Sequence, residues 1–204
     1  ICSTDPPAQE FFFPKPLTTS PKKSIINKIG ISLMTNNKEG KKVNEKIMIR
    51  VAIAGGAGYT AGELIRLLVN HPAVELKYIQ SGSHDGEPIH SVHSDLIYSD
   101  LKFSNIDFED IDVLFICMGH GNSAKFLAEN PMPESVKIID LSNDFRLKAD
   151  AGEFVYGAPE LNREQIKGCR CVANPGCFAT SINLALIPLA AASQITMCPR
   201  AQSY

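Results

Sequence analysis

The fold is decided by one stretch of sequence, which runs IMIRVAIA at residues 47–54 and GGAGYTAG at residues 55–62. Its first half is apolar and rich in β-branched side chains, as expected of a parallel strand buried on both faces. Glycines then favour a tight turn, and apolar residues at helical spacing across 61–70 predict a helix. A second apolar run follows at 74–80. The stretch therefore predicts a β-α-β unit with two parallel strands.

The same alternation continues along the chain. Further strands are predicted at 112–118, 136–141 and 169–173, and further helices at 124–129 and 181–193. Residues 82–107 carry no clear period and are left as loop with some helix or strand. Strands that alternate with helices predict an α/β fold, a doubly wound parallel sheet with helices on both faces.

The glycine turn is placed where nucleotide folds bind phosphate. Gly56-x-Gly58-x-x-Ala61 follows a strand and opens a helix, which fits the dinucleotide fingerprint that allows Ala in its third place. Glycine lets the backbone approach a pyrophosphate, and the helix N-terminus offers free N–H groups. These features predict a Rossmann-type dinucleotide-binding domain. Its predicted cofactor-binding residues are Gly55, Gly56, Gly58, Tyr59, Thr60, Ala61 and Ser81.

The end of the second strand bears on the choice of cofactor. An acidic residue there would bind the ribose 2′-hydroxyl of NAD and repel a 2′-phosphate. The segment 80–84 is QSGSH, and the first acidic residue after the strand is Asp85. Hydroxyl and amide groups without a carboxylate favour NADP as the cofactor.

The segment CVANPGCFAT at 171–180 predicts a nucleophile. A strand ends, Asn-Pro-Gly makes a turn, and Cys177 begins an apolar helical run. A helix N-terminus stabilises a thiolate, which is the nucleophilic form of cysteine. The alternative is a buried cysteine that only begins a helix. Cys169 and Cys171 have no evident fourth ligand, so no metal site is predicted.

Composition excludes several classes of function. The net charge is -2, with eight Lys and four acidic residues in 1–47 (+4) and therefore -6 in 48–204, so the folded part lacks the basic footprint of a nucleic-acid-binding protein. No apolar run is long enough to span a membrane. The six cysteines follow no secretory signal, which favours reduced thiols and a cytoplasmic location.

Four segments in order resemble the N-acetyl-γ-glutamyl-phosphate reductases, the arginine-biosynthesis members of the semialdehyde dehydrogenase group. They are Gly55–Glu63, IDLSNDFRL at 139–147, YGAPELNR at 156–163 and NPGCFAT at 174–180. The resemblance implies NADP(H) as cofactor, N-acetylglutamyl phosphate as substrate, a homo-oligomeric full-length enzyme and Cys177 as the nucleophile.

Three further residues are predicted on the substrate side of the site. Asp144 and Arg146 follow a buried strand, at the sheet edge that also carries Asn174. Arginine can bind a carboxylate or phosphate with two parallel hydrogen bonds. The alternative interpretation is an Asp–Arg pair that shapes the loop.

The chain departs from the family pattern in two ways that matter. Ser81-Gly82 stands where many members have Ser-Arg, which removes one expected contact to a 2′-phosphate. The family also has a second α+β domain for catalysis and dimerisation, with a His as general acid/base, and none of the five His here follows Cys177. We therefore expect a disordered or non-native extension at 1–47, an NAD(P)-binding domain at 48–176 and the start of a truncated catalytic domain at 177–204.

Two alternatives stay open at this point. One is an enzyme like aspartate-semialdehyde dehydrogenase, which shares the glycine turn and the cysteine chemistry. The other is an inactive, truncated nucleotide-binding fragment of the reductase, with apolar surface exposed on its last helix.

Overall fold

The computed structural model of the chain describes residues 48–192. The prediction of a disordered or non-native extension at 1–47 lies outside these residues. The strands are β1 (Ile49–Ala54), β2 (Val74–Gln80), β3 (Val113–Ile116), β4 (Lys137–Asp140), β5 (Phe154–Tyr156) and β6 (Cys171–Ala173). The helices are α1 (Tyr59–Leu68), α2 (Ser123–Glu129), α3 (Pro159–Gly168) and α4 (Cys177–Ala191). Short 3₁₀ turns lie at Ile89–Ser91, Ser94–Leu96 and Phe108–Asp110.

The strands form one sheet in the order β2-β1-β3-β4-β6-β5, and every neighbouring pair is parallel. The predicted α/β fold is therefore confirmed. From β1 the chain moves to β2 on one side and later to β3 on the other. Because such crossovers are right-handed, this reversal puts α1 and α2 on opposite faces of the sheet. Open sheets of this type bind ligands where the order reverses, here beyond β1 and β3.

The core lies between the central strands and their helices. Ile53 in β1 and Leu114 and Ile116 in β3 are fully buried, as is Ile65 on the inner face of α1. Each aliphatic side chain buried in this way contributes about 1.5–3 kcal/mol. Helices cover both faces of the sheet, so the central strands are buried on both sides. This is why the sequence of β1 is a continuous apolar run.

Two elements escaped the sequence prediction. β5 has only three residues, and α3 has no buried residue, so neither leaves a strong hydrophobic period. The predicted strand at 169–173 is shorter than expected, because Cys169 ends α3 instead of pairing in the sheet. The last helix was predicted at 181–193 and begins at Cys177, directly after the turn.

Within 48–192, no helix has both the length and the apolar character needed to cross a membrane.

Candidate active site

The glycine turn after β1 is packed too tightly for any side chain at two positions. Gly55 has φ of 82°, and a Cβ there would lie 2.7 Å from the carbonyl oxygen of Cys117, which follows β3. A Cβ at Gly56 would overlap the Ile79 side chain of β2. The N–H groups of both glycines donate to the Gln80 carbonyl, at 3.1 and 2.7 Å. The turn is therefore held between the ends of the three strands around the reversal point.

The N-terminus of α1 opens from this turn. Gly58 is the N-cap, with no capping side chain, and the first intrahelical bond runs from the Gly62 N–H to the Gly58 carbonyl, at 3.0 Å. Tyr59 and Thr60 are exposed. The N–H groups of the first turn are thus available to an anion, as the dinucleotide prediction requires. A Cβ at Gly58 would lie 3.5 Å from the Gly55 carbonyl oxygen and 3.6 Å from that of Cys117, so this position is less tightly packed than Gly55 or Gly56.

Ser81 lies at the end of β2, beside the glycine turn. It is buried, and its Oγ is 3.3 Å from Nδ1 of His84, which is also 2.7 Å from Oγ of Ser83. The side-chain oxygen of Gln80 is buried without a hydrogen-bond partner among the described residues. Asp85, the first acid after the strand, is exposed. The side chains at the end of β2 are therefore hydroxyl, amide and imidazole groups, of which the Ser81 hydroxyl and the Gln80 oxygen are buried.

Beyond β4, side chains order the loop that contains the predicted substrate residues. Asp140 is fully buried and accepts hydrogen bonds from the Ser142 hydroxyl, at 2.6 Å, and from the Ser142 N–H, at 3.2 Å. Ser142 Oγ accepts in turn from the N–H of Asp144, at 3.0 Å. Such local bonds between side chains and backbone fix turns.

The Asp144 carboxylate lies at the start of α2. It accepts hydrogen bonds from the N–H groups of Gly121, Ser123 and Ala124, at 2.7, 3.0 and 3.2 Å. Burial opposes its ionisation, but these backbone bonds and the Ser142 hydroxyl outweigh it and lower the pKa of Asp144 below its usual value. The contacts that the structure gives to Asp144 are thus those of a helix cap.

Arg146 reaches the segment that carries the predicted nucleophile. Its Nε donates to the Asn174 carbonyl and its Nη2 to the Leu141 carbonyl, both at 2.8 Å. A Cβ at Gly176 would lie 3.1 Å from Nη1. Arg146 does not pair with Asp144, so the Asp–Arg pair considered from the sequence is wrong. Instead, the guanidinium joins the loop after β4 to the turn before Cys177.

Cys177 is the first residue of α4 and is exposed. The N-cap is Gly176, without a capping side chain, and the first intrahelical bond runs from the Thr180 N–H to the Gly176 carbonyl, at 2.9 Å. The N–H groups of Cys177 and the next two residues therefore have no acceptor within the helix and can donate hydrogen bonds to an oxyanion. Asn174 is exposed, and its N–H donates to the carbonyl of Asp140, at 2.8 Å.

The other described cysteines are in different surroundings. Burial raises the pKa of Cys117 to about 12, with a further contribution from the charge of Asp140. Burial also raises the pKa of Cys171 to about 12, helped by Glu153, and raises the pKa of Cys169. Cys177 is the one exposed thiol among the described cysteines, all of which are free.

A cleft of about 100 Å³ lies next to the turn that precedes Cys177. Its walls come from the segment after β5, the Asn174-Pro175 turn and one face of α4, with Thr180 and Asn183 among the lining residues. A Cβ at Gly157 would lie 2.7 Å from the Val172 side chain and 3.1 Å from the Ala173 carbonyl. The glycine therefore lets the segment after β5 pack directly on β6.

Most of α4 is not covered by the described residues. None of its residues is buried, and five of its large apolar side chains are 40–83% exposed. They are Phe178, Ile182, Leu184, Leu186 and Leu189. The apolar surface expected on this helix is therefore present in the structure.

Sequence reasoning missed three residues that shape the site. Ser142 and Gly157 lie inside motifs that were quoted for other residues, and His93 lies in the unassigned segment 82–107. His93 is buried, and its Nε2 is 2.8 Å from the Gly56 carbonyl. A buried histidine after an irregular segment carries no periodic signal, so only the three-dimensional contact could reveal it.

Within residues 48–192, no three His, Cys, Asp or Glu side chains group closely enough to hold a metal ion. Cys169 is the C-cap of α3 and lies outside the sheet, so only Cys171 belongs to β6.

Residues 50–169 match the NAD binding domain of the semialdehyde dehydrogenase family. Curated relatives include the N-acetyl-γ-glutamyl-phosphate reductases of Christiangramia forsetii, 54% identical over 144 residues, and Phocaeicola vulgatus, 54% identical over 149 residues. Each match covers 70% of this chain and 45% of the relative, so the chain spans about half the length of these proteins.

Solved structures with the same fold include aspartate semialdehyde dehydrogenase II from Vibrio cholerae, complexed with ASA (TM-score 0.51, 21% identity). The aspartate semialdehyde dehydrogenase with NADP from Candida albicans is a second (TM-score 0.52, 16% identity). Both similarities cover 71% of this chain and 47% of the other. The strand–glycine turn–helix unit, the sheet order and the matched family domain agree, and the chain belongs to the semialdehyde dehydrogenase family, of which it carries the NAD binding domain.

Proposed function

We propose that the protein of which this chain forms part reduces N-acetyl-γ-glutamyl phosphate to N-acetylglutamate 5-semialdehyde, with release of phosphate, in arginine biosynthesis. The observation that carries the proposal is the exposed Cys177, which begins α4 at the sheet edge that also bears the glycine turn. The names of the relatives at 54% identity support the choice of substrate.

The fit of a dinucleotide to the glycine turn is supported by its close packing: a Cβ at Gly55 or Gly56 would collide with neighbouring strands, whereas a Cβ at Gly58 would meet its neighbours at ordinary contact distances of 3.5 and 3.6 Å. The backbone N–H groups of Ala57 and of the first turn of α1, Tyr59 to Ala61, hold the pyrophosphate, while those of Gly55, Gly56 and Gly58 are bonded within the turn and to β2. The bound nicotinamide supplies a hydride. The chain's own contribution is to position it against the acyl carbon that Cys177 holds.

In the first chemical step, the thiolate of Cys177 attacks the acyl carbon of the substrate. A C–S bond forms, the C–O bond to phosphate breaks, and inorganic phosphate leaves with the electron pair. A hydride supplied to the thioester carbon would give a tetrahedral oxyanion, whose collapse to the aldehyde breaks the C–S bond and returns the electron pair to the sulfur of Cys177. The N–H groups at the start of α4 stabilise the oxyanion in both steps.

The substrate side of the site is assigned to the segments that flank Cys177. Arg146 commits its Nε and Nη2 to backbone carbonyls, and its Nη1 lies beside Gly176. This arrangement supports a dual role, in which Arg146 holds the turn and offers Nη1 to an anionic group of the substrate. Asn174 contributes its exposed amide, and Asp144 acts by holding α2 in place.

The cofactor is assigned as NADP. Ser81 and the neighbouring hydroxyl, amide and imidazole groups offer donors without a carboxylate at the end of β2. A 2′-phosphate needs donors and is repelled by acids.

The proposed activity also bears on the location and oligomeric state of the enzyme. We place the enzyme in the cytoplasm as a homo-oligomer, since the described cysteines are free thiols and α4 exposes a large apolar surface. Its partner in catalysis is the small acyl phosphate, and no nucleic acid is involved.

Two alternatives make different predictions. An aspartate-semialdehyde dehydrogenase would be acylated by aspartyl phosphate and not by its N-acetylglutamyl counterpart. An inactive fragment would leave Cys177 unacylated by either. The apolar surface exposed on α4 is an observation in favour of the second alternative, whereas the exposed Cys177 at the start of α4 favours acylation.

The test separates cofactor binding from chemistry. NADPH is titrated into the 204-residue chain by fluorescence, and the chain is then mixed with each acyl phosphate while phosphate release and the mass of the Cys177 peptide are followed. We expect saturable NADPH binding and N-acetylglutamyl addition at Cys177, absent in Cys177→Ser. Saturable binding with no acylation would favour the inactive fragment, and acylation by aspartyl phosphate alone would reverse the substrate.

A further inference from the structure

His93 makes a direct contact with the backbone of the dinucleotide turn. Its ring is buried, and Nε2 lies 2.8 Å from the carbonyl oxygen of Gly56. Because a carbonyl only accepts, Nε2 carries the proton and donates it. The ring also lies against α1, since a Cβ at Gly62 would come within 2.7 Å of its Nδ1 and Cε1 atoms. Glycine at position 62 is therefore what admits the imidazole.

The contact fixes the orientation of one peptide group in the turn. The Gly56 carbonyl and the Ala57 N–H belong to the same trans peptide plane and point in opposite directions. A carbonyl held toward His93 therefore turns the Ala57 N–H away from it. Among the described residues this N–H donates to no acceptor, while the preceding N–H, of Gly56, is bound to the Gln80 carbonyl at 2.7 Å. An oriented and unpartnered N–H in this turn is what a phosphate oxygen requires.

The segment that carries His93 is held by a separate interaction. Arg66 of α1 donates through Nε and Nη2 to the carboxylate of Asp95, at 2.6 and 2.7 Å. This pair anchors the 3₁₀ turn that follows His93 and makes no hydrogen bond to the Gly56 carbonyl, although Arg66 Nη1 would lie 3.2 Å from a Cβ at Gly62. Substitution of Asp95 therefore weakens the anchor of the segment and leaves the donor to Gly56 in place, which provides a control for His93.

We propose that His93 is a positioning residue for the dinucleotide site, which holds the Gly56–Ala57 peptide so that the Ala57 N–H faces the cofactor phosphates. The inference rests on the proposed binding of NADPH at this turn and adds a residue from outside the glycine motif. Loss of one such hydrogen bond leaves a buried carbonyl unpaired and frees the peptide to rotate.

The test compares NADPH affinities of variants of the 204-residue chain. His93→Leu removes the donor, and we expect its Kd to rise roughly tenfold. His93→Gln retains an N–H donor at similar reach and should stay within about threefold of wild type. Asp95→Asn breaks the anchor but keeps the bond to Gly56, and should also bind nearly as wild type. Equal affinity for the Leu and wild-type proteins, or equal weakening by Asp95→Asn, would overturn the proposal.

Two further measurements keep the test decisive. If His93→Leu does not fold, His93→Asn takes its place, because the shorter asparagine side chain cannot reach the Gly56 carbonyl. The Asn variant must then bind NADPH more weakly than His93→Gln. Amide hydrogen exchange of residues 55–58 is compared in wild type and variants without cofactor. Faster exchange confined to this turn in the donor-less variant supports the proposal, and unchanged exchange contradicts it. The exchange measurement needs no cofactor, so it tests the role of His93 even if the wild-type chain binds no NADPH. Failure of the wild type to bind NADPH would count against the proposed function and not against the contact between His93 and the turn.

Discussion

Asp144 and Arg146 are separated by one residue, yet each holds the backbone of a different segment. The Asp144 carboxylate accepts hydrogen bonds from the N–H groups at the start of α2. The Arg146 guanidinium instead donates a hydrogen bond to the carbonyl of Asn174, in the turn before Cys177. Between them, Phe145 stacks on Phe154 of β5 with ring centroids 4.0 Å apart. One short loop therefore sets the relative positions of the loops after β3, β4 and β6.

Replacement of Asp144 by Ala should lower the free energy of unfolding by about 1 kcal/mol at neutral pH, because α2 loses its cap. The pKa of Asp144 is lowered in the folded state, so the ionised form is the one that stabilises. Its contribution is complete above the unfolded pKa of about 3.9 and disappears as the pH falls through the lower folded value. Urea unfolding across an acid pH series measures this difference.

Asp150→Ala is the matched control, since Asp150 is exposed on the same loop and its side chain makes no hydrogen bond within the described residues. A stability difference for Asp144→Ala that stayed constant down to strongly acid pH would contradict the capping role of the charge.

Arg146→Lys keeps the charge but loses the planar group that binds two carbonyls at once. We expect acylation of Cys177 to slow by roughly tenfold or more, because the turn that carries the thiol is no longer held. The Kd for NADPH should not change, since Arg146 contacts neither the glycine turn nor β2. Rapid-quench measurement of acylation, with Arg163→Lys on exposed α3 as control, tests this, and equal slowing in both variants would refute it.

Alkylation by iodoacetamide should modify Cys177 first among the described cysteines. With the pKa of Cys117 and Cys171 raised to about 12, their thiolate fraction at pH 8 is about one in ten thousand. Peptide mapping over time identifies each site, including Cys2 and Cys198, which lie outside the described residues. Modification of Cys117 as fast as Cys177 in the folded protein would show that its burial is wrong.

Gly55→Ala and Gly58→Ala should separate folding from cofactor binding. At Gly55 the positive φ alone costs alanine roughly 1–2 kcal/mol, and the contact with Cys117 adds to it, so the melting temperature should fall. At Gly58 the nearest atoms are 3.5 and 3.6 Å from a Cβ, so alanine fits and the melting temperature should hold. NADPH affinity should fall in both variants. Scanning fluorimetry and titration measure the two effects, and unchanged stability of Gly55→Ala would contradict the tight packing.

Strong local signals predicted the centre of the fold. β2 was predicted at its observed bounds, and β1 ends at Ala54 as expected, because buried parallel strands leave continuous apolar runs. The edge strand β5 was not predicted because it has only three residues. Helix α3 was not predicted because none of its residues is buried. Pairing between β5 and β6 depends on contacts that no local period encodes.

The site was predicted as a set of residues but not as a set of contacts. The sequence pointed to Cys177 at a helix start, which the structure confirms, while its role as nucleophile stays a prediction. The partners of Asp144 and Arg146 lie on other loops, and the sequence alone carried no signal that would choose a helix cap over an ion pair. His93 was missed because its partner is a backbone carbonyl far along the chain.

The contact between Gly55 and the backbone of Cys117 has a bearing on synthesis of the chain at the ribosome. When β1 and α1 have emerged, the glycine turn still lacks one wall, which arrives only with β3. A dinucleotide that binds the finished turn therefore stabilises chains in which β3 has already docked, and leaves earlier nascent chains unaffected. The proposed dinucleotide would in this way act as a folding ligand that favours chains in which the central sheet is complete.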